Sequence, residues 1–92
     1  MYTPRYSKAF KKSYKKLRKS GRFSREDVEK VVVILAKGEK LTEKYQDHTL
    51  VGKMEGYREC HIKPDLLLIY KIEKQILVLI LINIGSHSEL FG

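Results

Sequence analysis

Two stretches decide how this chain reads: "LLLIYKI", Leu66 to Ile72, and "ILVLILI", Ile76 to Ile82, joined by "EKQ". Both are nearly continuous apolar runs, too short for long helices and too apolar for a half-wet strand. They suit strands with both faces at least partly covered, and the short polar link makes the pair a hairpin. Upstream, "YRECHI" (Tyr57 to Ile62) reads as a third strand, and Lys63-Pro64-Asp65 is a tight turn with proline in a favoured place. "HTLVG" (His48 to Gly52) reads as a further strand, followed by a turn over Lys53 to Gly56. Tyr2 to Tyr6 alternates weakly and fits an edge strand, where Pro4 is tolerated.

Between these strands the period changes. Phe10, Tyr14 and Leu17 form a narrow apolar stripe at helical spacing, and Lys8, Lys11, Lys12, Lys15, Lys16 and Lys19 form a basic stripe on the same helix. Ser20-Gly21 ends it. "SRED" (Ser24 to Asp27) resembles a capping box, with Asp in place of the longer Glu. Val28, Val31, Val32 and Leu35 then mark a second helix that Gly38 stops. The expected fold is α+β: two N-terminal helices on one face of a twisted antiparallel sheet of four to five strands. Helices on one face leave the other face of the apolar strands to be closed by curling or by a partner.

The chain has 92 residues, which bounds it to one domain, 1–92, with a thin core. Hydrophobic content of 42% and charged content of 33% fit a globular protein. One cysteine, Cys60, excludes an intrachain disulfide and favours a reducing cytoplasm. The first residues have no apolar segment of a signal peptide, and the run from Ile76 to Ile84 is far short of the roughly 20 residues of a membrane helix, so no membrane partner is expected.

The net charge is +8, and it is focused. Residues 1–25 hold ten Lys and Arg and no acid; the remainder holds nine bases against eleven acids. Such a field attracts phosphate polyanions, which points to nucleic acid or the ribosome; the bland reading is a well-solvated helix face.

Three histidines are present: His48, His61 and His87. The strand reading sets His48 at the start of one strand, His61 near the end of the next and His87 just past the last. Strand ends of an antiparallel sheet meet at an edge, so the rings are expected to converge there, with Asp65 in the adjoining turn. Imidazoles and a carboxylate together can transfer protons near neutral pH. Cys60 and His61 are adjacent, so on a strand they face opposite sides and cannot readily hold one ion. No zinc spacing, glycine-rich phosphate loop or serine elbow occurs, so neither a metal nor a cofactor is expected. RNA, however, carries its own nucleophile in the 2′-hydroxyl. Its cleavage needs a base, an acid and cations.

The motifs Asp47 to Gly52 (D-H-x-L-x-G), Gly56 to Asp65 (G-Y-R-x-x-H-x-x-P-D), Leu68 to Lys71 (L-I-Y-K) and Gly85 to Phe91 (G-S-H-x-x-L-F) occur in this order. Together they resemble the YafQ branch of the RelE toxin superfamily. The resemblance implies a RelE-like fold and a bacterial type II toxin: an endoribonuclease, or mRNA interferase, that enters the ribosomal A site and cuts mRNA. It implies a cognate antitoxin that neutralises it through an acidic or amphipathic segment, and operator DNA contacted only through that complex. The implied active-site residues are His48, His61, Asp65 and His87, supported by Phe91. The six lysines of the first helix, with Lys53, Arg58 and Lys63, are the expected RNA or ribosome contacts.

Two positions depart from the pattern. Leu66 stands where an aromatic, often Trp, follows the Pro-Asp pair, and Asn83 stands where many relatives carry Arg. Arg would meet developing phosphate charge with a geometry that Asn cannot copy. The alternative is therefore a catalytically weak or inactive homologue that binds RNA or the ribosome and acts mainly with its antitoxin as a repressor.

Overall fold

Ser7 starts the first helix: its hydroxyl oxygen accepts from the Phe10 amide at 3.0 Å and its proton goes to the Ile82 carbonyl, so one serine caps a helix and ties it to a strand. In this computed structural model, which describes residues 1–21 and 24–92, the chain runs β1 (Thr3–Tyr6), α1 (Lys8–Ser20), α2 (Arg25–Ala36), β2 (His48–Thr49), β3 (Arg58–Lys63), β4 (Leu66–Glu73), β5 (Val78–Gly85) and α3 (His87–Phe91). The short connection expected between α1 and α2 includes Arg22 and Phe23, which lie outside the described residues.

The helix ends follow local chemistry. Gly38 takes φ +77°, which glycine adopts without a Cβ penalty, and the last turn of α2 closes with Glu39 N to Ile34 O at 3.1 Å and Gly38 N to Leu35 O at 3.0 Å. The expected capping box at Ser24 does not form: the serine occupies the N-cap but its side chain makes no capping bond. Asp27 is one methylene shorter than the Glu that reaches back in such a box. A capping box does form at Ser86 and Glu89, at the start of α3.

The sheet order is β1-β5-β4-β3-β2. It corrects the expectation of a wholly antiparallel sheet: β1 pairs in parallel with β5, and the other three pairings are antiparallel. Parallel neighbours need a long crossover, and here everything from α1 to β4 serves as one. Two strands have bounds other than their apolar patterns suggested: β5 is shifted toward the C-terminus and β2 is shorter. β5 begins at Val78 because Lys74–Ile76 form a 3-10 turn and Leu77 takes a left-handed φ of 53°. β2 is two residues long, and Gly52–Met54 form another such turn.

The core lies between the helices and one sheet face. Phe10 and Leu17 of α1 and Val28, Val31, Val32 and Leu35 of α2 pack with Leu66, Leu68, Tyr70, Leu79, Leu81 and Ile84. On β4 the alternate residues are closed as well: Leu67 is 1% and Ile69 3% exposed. The apolar surface that β4 was expected to offer if it stayed open is therefore not there. An irregularity in β5 matters for the site. Tyr70 pairs with Leu81, but Ile69 pairs with Asn83, so Ile82 is an extra residue. Slipping by one residue exchanges the faces of a strand, which lets both Leu81 and Ile84 reach the core and sets Asn83 beside Ile69.

Candidate functional site

Directly opposite residues of antiparallel strands share a face. The register thus puts His48, Glu59, Ile69 and Asn83 in one row across β2 to β5, with His61, Leu67 and Gly85 in the next. Cys60 and Tyr70 belong to the opposite, helix-covered side.

Two groups of functional side chains stand out. The first is centred on Glu59, the one buried charged residue among the described residues at 5% exposed. Its Oε1 lies 3.5 Å from His48 Nε2 and 3.4 Å from His61 Nε2, and the two rings are 6.5 Å apart between centroids. The far nitrogens are fixed by main chain: His48 Nδ1 donates to the Gln46 carbonyl at 2.7 Å and His61 Nδ1 to the Pro64 carbonyl at 3.3 Å. With Nδ1–H so used, each neutral ring turns a lone pair toward the carboxylate. The contact becomes an ion pair when a ring takes up a proton, so the trio is suited to hold and pass protons.

The second group is His87, Asp65 and Phe91. The His87 amide donates to Asp65 Oδ1 at 3.1 Å, and the His87 and Phe91 rings are 5.2 Å apart, tilted by 45°. His87, just past β5, is the first residue of a five-residue helix. That helix sits hard against Gly85, where an added Cβ would meet Glu89 Oε1 at 3.2 Å. The two groups share one turn: His61 rests on the Pro64 carbonyl and His87 hangs from Asp65, the next residue.

The expected cations differ in their freedom. The six α1 lysines are exposed, as is Lys53. Arg58 instead forks onto Asp47, with Nη2 to Oδ2 at 2.8 Å and Nε to Oδ1 at 3.4 Å, and this bond raises its pKa. Lys63 pairs with Asp27 at 3.2 Å. Asn83 Oδ1 accepts from Ser13 Oγ at 2.7 Å and from the Ile84 amide at 2.9 Å, so its amide links α1 to β5. Sequence reasoning missed Glu59. Its signal was an acid inside a strand, directly opposite one histidine and two residues from another. Among the described residues no group of three or more His, Cys, Asp or Glu stands in position to hold a metal ion. None of the helices among them is long and apolar enough to cross a membrane.

Three comparisons bear on this geometry. The metal-bound toxin from Helicobacter pylori is 50% identical, with a TM-score of 0.92 over 99% of this chain and 100% of that one. The toxin of the Escherichia coli DinJ–YafQ toxin–antitoxin complex is 30% identical, with a TM-score of 0.87 over 99% of this chain and 98% of that one. The mRNA interferase toxin YafQ of Escherichia coli strain K12 is 44% identical over 48 residues, 52% of this chain; the match spans 50% of that relative's length. The YafQ family model matches residues 2–92, and the chain belongs to this family of bacterial toxins of type II toxin–antitoxin systems.

Proposed function

We propose that this toxin is an mRNA interferase that cleaves RNA by metal-independent acid–base chemistry. One observation carries the reading: two histidines flank one acid, and a third is held by the turn on which one of them rests. The similarity to a relative named mRNA interferase toxin adds support. In this mechanism a histidine removes the 2′-hydroxyl proton, the oxygen attacks the adjacent phosphorus, and a second histidine protonates the departing 5′-oxygen. His87 is the residue assigned one of these proton transfers. The His48–Glu59–His61 trio stores and returns protons, Asp65 orients the start of α3, and Phe91 packs on the His87 ring. Such acid–base steps each contribute on the order of 10²–10⁴-fold.

The exposed lysines of α1 supply the electrostatic attraction to mRNA and to the ribosomal A site, in a bacterial cytoplasm. An antitoxin with an acidic or amphipathic segment neutralises the toxin, as DinJ is found with YafQ, and operator DNA is contacted through that complex. Asn83 favours one competing reading, in which the fold binds RNA without cutting it.

The two readings separate on one substrate. A short mRNA on programmed ribosomes should be cut to a product ending in a 2′,3′-cyclic phosphate, and a single 2′-deoxy substitution at the cut site should abolish cleavage. Cleavage that survives the substitution would exclude 2′-hydroxyl attack, and binding without cleavage would favour the competing reading.

A further inference from the structure

On the helix-covered side of the sheet, behind the histidine row, lies a second polar group that the proposed chemistry does not use. Asp47 accepts the Tyr70 hydroxyl proton as well as the fork from Arg58. Tyr70 is 1% exposed, and a buried phenol needs such a partner. Arg58 and Tyr70 are register partners on β3 and β4, and Arg58 is also paired with Thr49 of β2. Three strands therefore converge on one carboxylate.

The arrangement answers a weakness in the fold. β2 is two residues long, and just past it the Leu50 amide is bonded to the Tyr57 carbonyl at 2.9 Å. So short a ladder is easily opened. Yet β2 carries His48, whose ring must stay within reach of Glu59. Asp47 and His48 are neighbours, and successive strand side chains point to opposite faces. Fixing Asp47 from behind thus fixes His48 in front. Gln46, the other neighbour of Asp47, sits in a left-handed conformation at φ 49° and accepts the His48 Nδ1 proton, so the ring is anchored to the same three residues.

We propose that Asp47, Arg58 and Tyr70 form a positioning trio that holds the His48 strand at Glu59. Its catalytic consequence rests on the nuclease reading above; its structural content does not. The trio is charge-assisted and bidentate, which specifies orientation as well as proximity.

Two mild variants test it, Asp47→Asn and Tyr70→Phe, together with Arg58→Lys, which keeps the charge and loses the fork. In each, Leu50 amide exchange should quicken by about tenfold or more, the effect of losing one charge-assisted hydrogen bond, while exchange across β4 and β5 stays unchanged. The His48 ring resonances should shift. With RNA, kcat should fall by about tenfold at unchanged KM. Unchanged Leu50 exchange, or a rise shared equally by β4 and β5, would overturn the trio. A normal kcat despite faster Leu50 exchange would overturn its positioning role. If the wild type cuts no RNA the nuclease reading fails, while amide exchange and the His48 resonances still decide whether the trio holds the strand.

Discussion

His61 faces Glu59 across 3.4 Å, Nε2 to Oε1, and the carboxylate it meets is 5% exposed. Among the described residues its charged partners are two imidazoles, and a buried acid gains most from such partners when they are charged. The Glu59 carboxylate is placed to pair with either ring when that ring carries a proton.

Glu59→Gln keeps the shape and removes the charge. We expect the single-turnover cleavage rate to fall by about 10²-fold. Stability should change little, because removing a buried charge also removes its desolvation cost. Single-turnover cleavage of RNA beside a thermal melt checks both; full cleavage would remove Glu59 from the mechanism.

Asn83 is the register partner of Ile69, and its side chain accepts from Ser13 of α1 and from the Ile84 amide. Asn83→Arg should raise the cleavage rate at least tenfold, within the on the order of 2.7–4 kcal/mol that one transition-state donor can supply. It should also lower stability by about 1 kcal/mol, since the Asn83 bond to Ser13 is lost. A chemical melt and a cleavage assay on the same variant separate the two effects. An unchanged rate would mean that the cation is already supplied elsewhere.

Cys60 gives a pH prediction. Burial pushes its thiol well above the ordinary range, helped by the charges of Asp47 and Glu59. The folded state thus keeps a proton that the unfolded chain releases. That contribution is fully present below the unfolded thiol value of about 8.5 and declines as pH rises above it, by up to about 1.4 kcal/mol per unit. Urea melts from pH 8 to 10.5 should show a steeper decline for the wild type than for Cys60→Ala. Parallel declines would contradict the burial of the thiol.

The elements most legible in sequence were those with strong periodicity. The lysine stripe, the valine stripe and the apolar runs led to α1, α2, β4 and β5 because period and composition agreed. What the sequence hid depends on partners distant along the chain. The parallel pairing of β1 with β5 links residues 3–6 to 78–81, and no local pattern encodes it. The extra residue at Ile82 needs β4 as its ruler. Of the three histidines expected to converge, His48 and His61 come within 6.5 Å between ring centroids, while His87 stands in a separate group with Asp65 and Phe91; the acid that joins the first two, Glu59, was invisible until the register showed which face it shares. Arg58 and Lys63 looked like free cations because their partners, Asp47 and Asp27, are 11 and 36 positions away along the chain.

The central claim is that His87 moves a proton in cleavage. It is tested most directly by mapping mRNA 5′ ends by primer extension after a short induced pulse, wild type beside His87→Ala, with circular dichroism confirming that both are folded. The account predicts new in-frame ends within translated regions for the wild type and none for the variant. Equal cutting by a folded His87→Ala protein would contradict it.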